Sequence, residues 1–167
     1  TLVMNAFWIL PNLYFLTNGA GLVPHAQSNR IYSEEAFLHN KDYGNPADTV
    51  VFKNYLFNWI DPEHARPLLS AWTTHLENPF TRAIGYLGFV CVLAGIWVAV
   101  RRKHTVALAL LPVTIMSLVM IINMNQPFEL FFGWIREHLP LFREGLRFPF
   151  TKFSLLLMFG FSVYVGI

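Results

Sequence analysis

Arg143, Arg147 and Lys152 stand close together in the run Leu139-Pro140-Leu141-Phe142-Arg143-Glu144-Gly145-Leu146-Arg147-Phe148-Pro149-Phe150-Thr151-Lys152-Phe153, just ahead of an apolar stretch. The planar fork of a guanidinium pairs two donors with two phosphate oxygens, and an ammonium adds a point charge. The chemistry this spacing suits is capture of a lipid phosphate or diphosphate at a membrane surface. A competing reading is plain anchoring, in which basic side chains snorkel to the headgroups without selecting any ligand. Spacing alone leaves both open.

Other polar groups point less clearly to chemistry. Asp61, Glu63 and His64 form a compact set of the types that bind a divalent ion or move protons. No second ligand set follows at a fixed helical offset, so Asp61 before Pro62 reads better as the cap of a helix start. His25, His39, His75, His104 and His138 are scattered. Cys91 is the single cysteine and lies within an apolar run, so neither an intrachain disulfide nor a thiolate metal cluster can form. No base lies near it in sequence to activate the thiol. Gly-x-Ser-x-Gly, glycine-rich phosphate-loop and His-Glu-x-x-His patterns do not occur.

The elements that must position these groups follow from composition. The 167 residues are 54% hydrophobic and 16% aromatic but only 13% charged, about half the charged share usual in soluble domains. Long uncharged runs hold the apolar residues, as a bilayer requires. A formal charge of +2 with no basic run interleaved with aromatics excludes a nucleic-acid groove.

Ala83 to Val100 is uncharged and, as a helix, spans roughly 27 Å, close to the hydrocarbon thickness of a bilayer. Asn78 and Pro79 supply its cap and first position, and Arg101, Arg102 and Lys103 end it. Thr105 to Phe128 is a second uncharged run, with Pro112 near its entrance, where a membrane helix tolerates proline. A transmembrane hairpin over 83–126 is expected, its turn at 101–104 cytoplasmic by the positive-inside rule. Residues 1–17 read as the end of another transmembrane helix rather than a signal peptide, because a basic start is missing and Pro24 occupies the small-residue position before the one suitable cleavage point. Residues 149–167 read as a further, truncated span. The last apolar run reaches Ile167 without a polar flank, so the chain is read as an excerpt of a longer one.

Residues 18–82 then form an extracytoplasmic loop with short helices starting at Asn45-Pro46 and Asp61-Pro62. Val51, Phe52, Tyr55, Leu56 and Trp59 recur at helical spacing, which suits packing on the membrane surface. Residues 127–148 carry an interfacial amphipathic helix and the basic loop. Phe128, Phe131, Phe132, Ile135 and Leu139 share one face there, Glu129, Arg136 and Glu137 lie away from it, and Pro140 stops it. The expected fold class is therefore all-α integral membrane, with about four transmembrane helices, a helical outer loop and an interfacial amphipathic helix. Gly85, Gly88 and Gly95 would allow close helix approach without marking a dimer seam.

The Leu-Pro-Leu-Phe-Arg phrase, the Arg-Phe-Pro-Phe-Thr-Lys-Phe phrase that follows it, and the opening Phe7-Trp8-Ile9-Leu10-Pro11-Asn12-Leu13 resemble the late transmembrane region of GT-C-type membrane glycosyltransferases and the related YfhO-like bacterial proteins. The resemblance implies transfer of a sugar from a polyprenyl-phosphate-linked donor to an acceptor on the outer face of a prokaryotic cytoplasmic membrane, within the cell envelope. It implies a catalytic carboxylate in an early outer loop outside this chain, so only the diphosphate-facing role carries over, to Arg143 and Arg147. The expected partners are membrane lipids and the polyprenyl-phosphate-linked sugar. The chain itself carries no cofactor in this reading, and a divalent cation remains open for the full-length protein. Two alternatives stand beside the enzyme: a non-catalytic protein binding or scaffolding lipid-linked glycans, and a transporter segment. The complete apolar runs contain no Asp, Glu, Lys or Arg, which disfavours a charged pathway and hence the transporter.

Overall fold

The computed structural model describes residues 2–26, 36, 38–54, 57, 60–61, 63–67 and 69–167. It is mostly helical. In chain order the elements are α1 (Leu2–Asn18), α2 (Leu22–His25), a helical stretch at 38–43, α3 (Pro46–Val50), the two-residue strands β1 (Ile60–Asp61) and β2 (Arg66–Pro67), α4 (Ser70–Glu77), α5 (Pro79–Arg101), α6 (Thr105–Ile122), α7 (Glu129–His138), α8 (Pro140–Gly145) and α9 (Pro149–Val165).

The expected caps start two of these helices. Asn45 Oδ1 accepts the Asp48 N–H at 2.9 Å to open α3, and Asn78 Oδ1 accepts the Phe80 N–H at 2.9 Å to open α5. In both, a proline occupies the first helical position, where its missing N–H breaks no bond. The basic turn between α5 and α6 is tight, with φ 51° at Lys103, and His104 caps α6 by accepting the Ala107 N–H at 3.3 Å.

Two helices, α5 and α6, are long and apolar enough to cross a membrane. They do not form a closely packed hairpin. Instead α9 lies against both, and α5 and α6 touch each other far less. Val92 and Ala99 of α5, Ala107 of α6 and Tyr164 of α9 make the core of this unit. Small residues permit the approach. A Cβ placed on Gly95 would overlap the backbone carbonyl of Tyr164, and one on Gly160 would overlap the Thr114 side chain. Gly88, by contrast, faces open space.

Tyr164 donates its hydroxyl to the Ala107 carbonyl at 2.8 Å, joining α9 to α6 inside this core. A buried hydrogen bond of this kind contributes roughly 1 kcal/mol. Tyr164→Phe is expected to lower thermal stability by a few degrees in detergent, read by circular dichroism; an unchanged midpoint would count against the bond.

Two sequence expectations need correction. Asp61 opens no helix: β1 and β2 pair antiparallel, Ile60 opposite Pro67 and Asp61 opposite Arg66. The turn joining them includes Ala65 at φ 49°, a backbone state that interrupts a helix. The next helix begins at Ser70. Helical spacing from Val51 onward also breaks, because Phe52 has φ 59°. Val51 packs on Gly85 and the Phe52 ring meets Phe161 edge-on at 5.6 Å, so these two side chains lie against α5 and α9. Tyr55, Leu56 and Trp59 lie outside the described residues.

Candidate functional site

The site forms where the segments before α5 and after α6 meet. Asn40, in the helical stretch at 38–43, donates its Nδ2 to the Arg147 carbonyl at 2.8 Å. Its own backbone carbonyl accepts from Asn125 Nδ2 at 3.0 Å and from the Gly44 N–H at 2.8 Å. Asn123, just past α6, donates its Nδ2 to the Leu146 carbonyl at 3.3 Å. Three amides thus tie residues 146–147 and the end of α6 to the earlier segment. Nearby, α2 packs on α8, and Lys41 and Glu129 form an exposed ion pair at 3.3 Å that adds little stability.

These contacts enclose a cavity of about 30 Å³ lined by Arg136, Arg143, Arg147, Asn40, Asn123 and Leu146 among others. Arg143 and Arg147, singled out on spacing, therefore share one cavity. The Arg147 guanidinium also lies over the Phe148 ring, 5.4 Å from its centroid. Arg143 turns its Nε to Glu144 Oε1 at 3.1 Å. Glu144 is 6% exposed, and a buried carboxylate costs several kcal/mol unless it is paired. That pair uses one edge of the Arg143 fork; among the described residues the two Nη groups make no hydrogen bond and remain able to grip an anion end-on.

Lys152 is placed differently. Its Nζ donates to the Gly145 carbonyl, although Arg147 lies near enough to repel its charge. It lines a separate, apolar groove of about 540 Å³ with Leu139, Leu141, Phe142, Leu146 and Phe153. Leu146 belongs to both walls, so the basic cavity and the apolar groove are neighbours.

Helix α7 supplies Arg136, which spacing had put off its apolar face. Phe132 and Ile135 are buried as expected, but Phe131 and Leu139 are exposed, and so are Leu130 and Trp134 on the other side. With apolar residues on two sides, the helix inclines Arg136 to the cavity rather than to open solvent. Pro127 precedes α7 by two residues, and Pro140 opens α8 as well as ending the helix before it. Asn40, Asn123 and Asn125 were not anticipated; the one available signal was a pair of amides, Asn123 and Asn125, near the end of a long uncharged run.

The remaining candidates stay apart. Glu63 and His64 are exposed in the turn between β1 and β2, and among the described residues no three His, Cys, Asp or Glu side chains are grouped to hold a metal ion. His138 stacks on Trp134 at 4.9 Å, and Cys91 is exposed on α5. Chemically the basic cavity can bind an anion whose oxygens enter between guanidinium groups while its body stays outside. Comparison with protein-family models, with characterised proteins and with solved structures finds no match to this chain.

Proposed function

We propose that this chain belongs to a polytopic membrane protein that holds the phosphate of a polyprenyl-linked sugar, as part of a GT-C-type glycosyltransferase working on the outer face of the membrane. The observation that carries the reading is the pairing of an arginine cavity with an apolar groove across Leu146. Arginines match the phosphate, and the groove offers the hydrocarbon chain an apolar path with Lys152 at its edge. A membrane setting is supported by the helices themselves: only 17% of the apolar window of α5 and 28% of that of α6 are buried, whereas the core helix of a soluble protein would be mostly covered. α1 and α9, 17 residues each, complete four spans in this reading. Contact between the segments before α5 and after α6 suits their lying on one side of the membrane, opposite the basic turn.

The sugar-transfer step rests on the resemblance of the Leu-Pro-Leu-Phe-Arg and Arg-Phe-Pro-Phe-Thr-Lys-Phe phrases. A non-catalytic binder of lipid-linked glycans is the second reading. It rests on the same cavity and groove, which suit binding whether or not a transfer step follows.

Binding of undecaprenyl phosphate to the protein in lipid nanodiscs tests the reading. Arg143→Ala and Arg147→Ala are each expected to weaken it at least tenfold, since a charge-assisted hydrogen bond contributes about 1.5–3 kcal/mol. Affinities equal to wild type in both variants would sink it. Transfer of labelled sugar from the polyprenyl-linked donor then separates the two readings: binding without transfer selects the non-catalytic one.

A further inference from the structure

We infer that the groove between α5 and α9 is a phospholipid site, with one acyl chain lodged against Gly88 and the phosphate held by Arg82. The inference rests on the membrane setting proposed above and needs neither the sugar donor nor the transfer step. The groove, of about 480 Å³, runs along α5 from Gly85 to Val92 and along α9 from Met158 to Val165. Two of the glycines of α5 are already covered, Gly85 by Val51 and Gly95 by the Tyr164 carbonyl. Gly88, between them, is exposed and faces open space. The walls are apolar, and the Ser162 hydroxyl donates its proton to the Met158 carbonyl at 2.9 Å. An unfilled groove forfeits dispersion contacts along both walls, and in a bilayer the medium that can fill it is hydrocarbon. A flexible chain fits better than another helix. A straight span roughly 10–12 Å across lying over Gly88 would run into Val51 at Gly85 and Phe52 at Phe161, whereas an acyl chain enters from the side and bends.

Arg82 supplies the polar half of the site. It stands in the first turns of α5, on the same helical face as Phe89 of the groove wall. Gly88 lies about 9 Å deeper along the axis, within the roughly 15 Å of hydrocarbon in one leaflet. Arg82 Nη2 donates to the Tyr86 hydroxyl at 3.3 Å, and its Nε is shut off from solvent with no acceptor among the described residues. Asp48 attracts the guanidinium, but its carboxylate accepts from Asn45 Nδ2 at 2.7 Å, and among the described residues no ion pair joins it to Arg82. An anion is what this guanidinium lacks. A glycerophospholipid places a phosphate at this level, above acyl chains that reach the groove.

The test reconstitutes the full chain in palmitoyl-oleoyl phosphatidylglycerol vesicles, extracts it into dodecyl maltoside, and uses native mass spectrometry to read the phosphatidylglycerol kept through washing. Wild type is expected to retain a phosphatidylglycerol molecule. Gly88→Leu grows into the groove without meeting a neighbour at its Cβ and is expected to lose that molecule, as is Ser162→Leu from the opposite wall. Arg82→Gln is expected to lower the affinity about tenfold on titration with the lipid. Leu87→Phe adds bulk at an exposed position outside the groove and is expected to keep the lipid. All variants are compared at wild-type circular dichroism. The inference is overturned if wild type retains no phosphatidylglycerol, if retention survives the groove-filling substitutions, or if Arg82→Gln binds within threefold of wild type. Equal loss in Leu87→Phe overturns it too, by marking unselective boundary lipid. Gly88→Leu is expected to bind undecaprenyl phosphate as wild type does, so this site and the arginine cavity fail separately. A chain that stays dispersed without detergent or lipid would sink the membrane setting itself.

Discussion

Gly95→Ala is expected to cost roughly 3 kcal/mol, lowering the unfolding midpoint in detergent by about 10 °C. The added methyl meets the Tyr164 backbone carbonyl rather than a side chain that can swing aside. One helix must move, and the move disturbs Val92, Ala99 and Ala107 together because Tyr164 sits in contact with that cluster. Gly88→Ala is the control on the same helix: nothing lies near its added methyl, and alanine is the better helix former, so its midpoint is expected to stay level or rise slightly. Equal midpoints for the two variants would show that α5 and α9 do not approach at Gly95.

The second large effect is on binding. Asn40→Asp puts a carboxylate into the wall shared with Arg136, Arg143 and Arg147. It gives up the Nδ2 bond to the Arg147 carbonyl, a loss of about 1 kcal/mol, and recovers part of that by pairing with a guanidinium. An internal anion then occupies the place of the external one. At an effective dielectric of about 20 a charge pair in contact is worth roughly 4 kcal/mol; discounted for solvent in a cavity that is partly open, a loss of about a hundredfold in undecaprenyl phosphate affinity is expected. Circular dichroism should show the fold intact. An affinity within threefold of wild type would place the bound phosphate somewhere other than this cavity.

The long apolar helices and the cap of α5 were legible because they rest on local signals. An uncharged run, an Asn-Pro start and a basic stop act within one helix, and α5 begins and ends where Asn78-Pro79 and Arg101 predict. Arg143 and Arg147 line one cavity, and sequence brings them together because both lie on one short stretch of chain. What the sequence did not carry was long-range. Lys152 looked equivalent to the two arginines in sequence, yet its ammonium is engaged at the Gly145 carbonyl and its stem lines the groove. Helical spacing put Arg136 off the apolar face and said nothing of a cavity, because a helix drawn alone shows one apolar side, whereas α7 has apolar residues on two. The amides of Asn40, Asn123 and Asn125 carry no motif at all; their role arises from contacts across 23, 85 and 107 positions of chain. Asp61 misled by a different route. Its neighbour Pro62 reads as a helix start, but the reversal at Ala65 brings Arg66 back opposite it instead.

The wedge made by α9 also bears on how the molecule is made. α5 and α6 leave the ribosome first, yet their mutual contact is slight and the small-residue seams at Gly95 and Thr114 find their partners only in a helix synthesised later. A nascent hairpin therefore has two unfilled grooves and no reason to hold a fixed angle. Only when the stretch bearing Gly160 and Tyr164 arrives can the three helices pack together as they do in the finished fold. Completion of the helical unit is thus a late step of its synthesis, taken after both long apolar helices are already made.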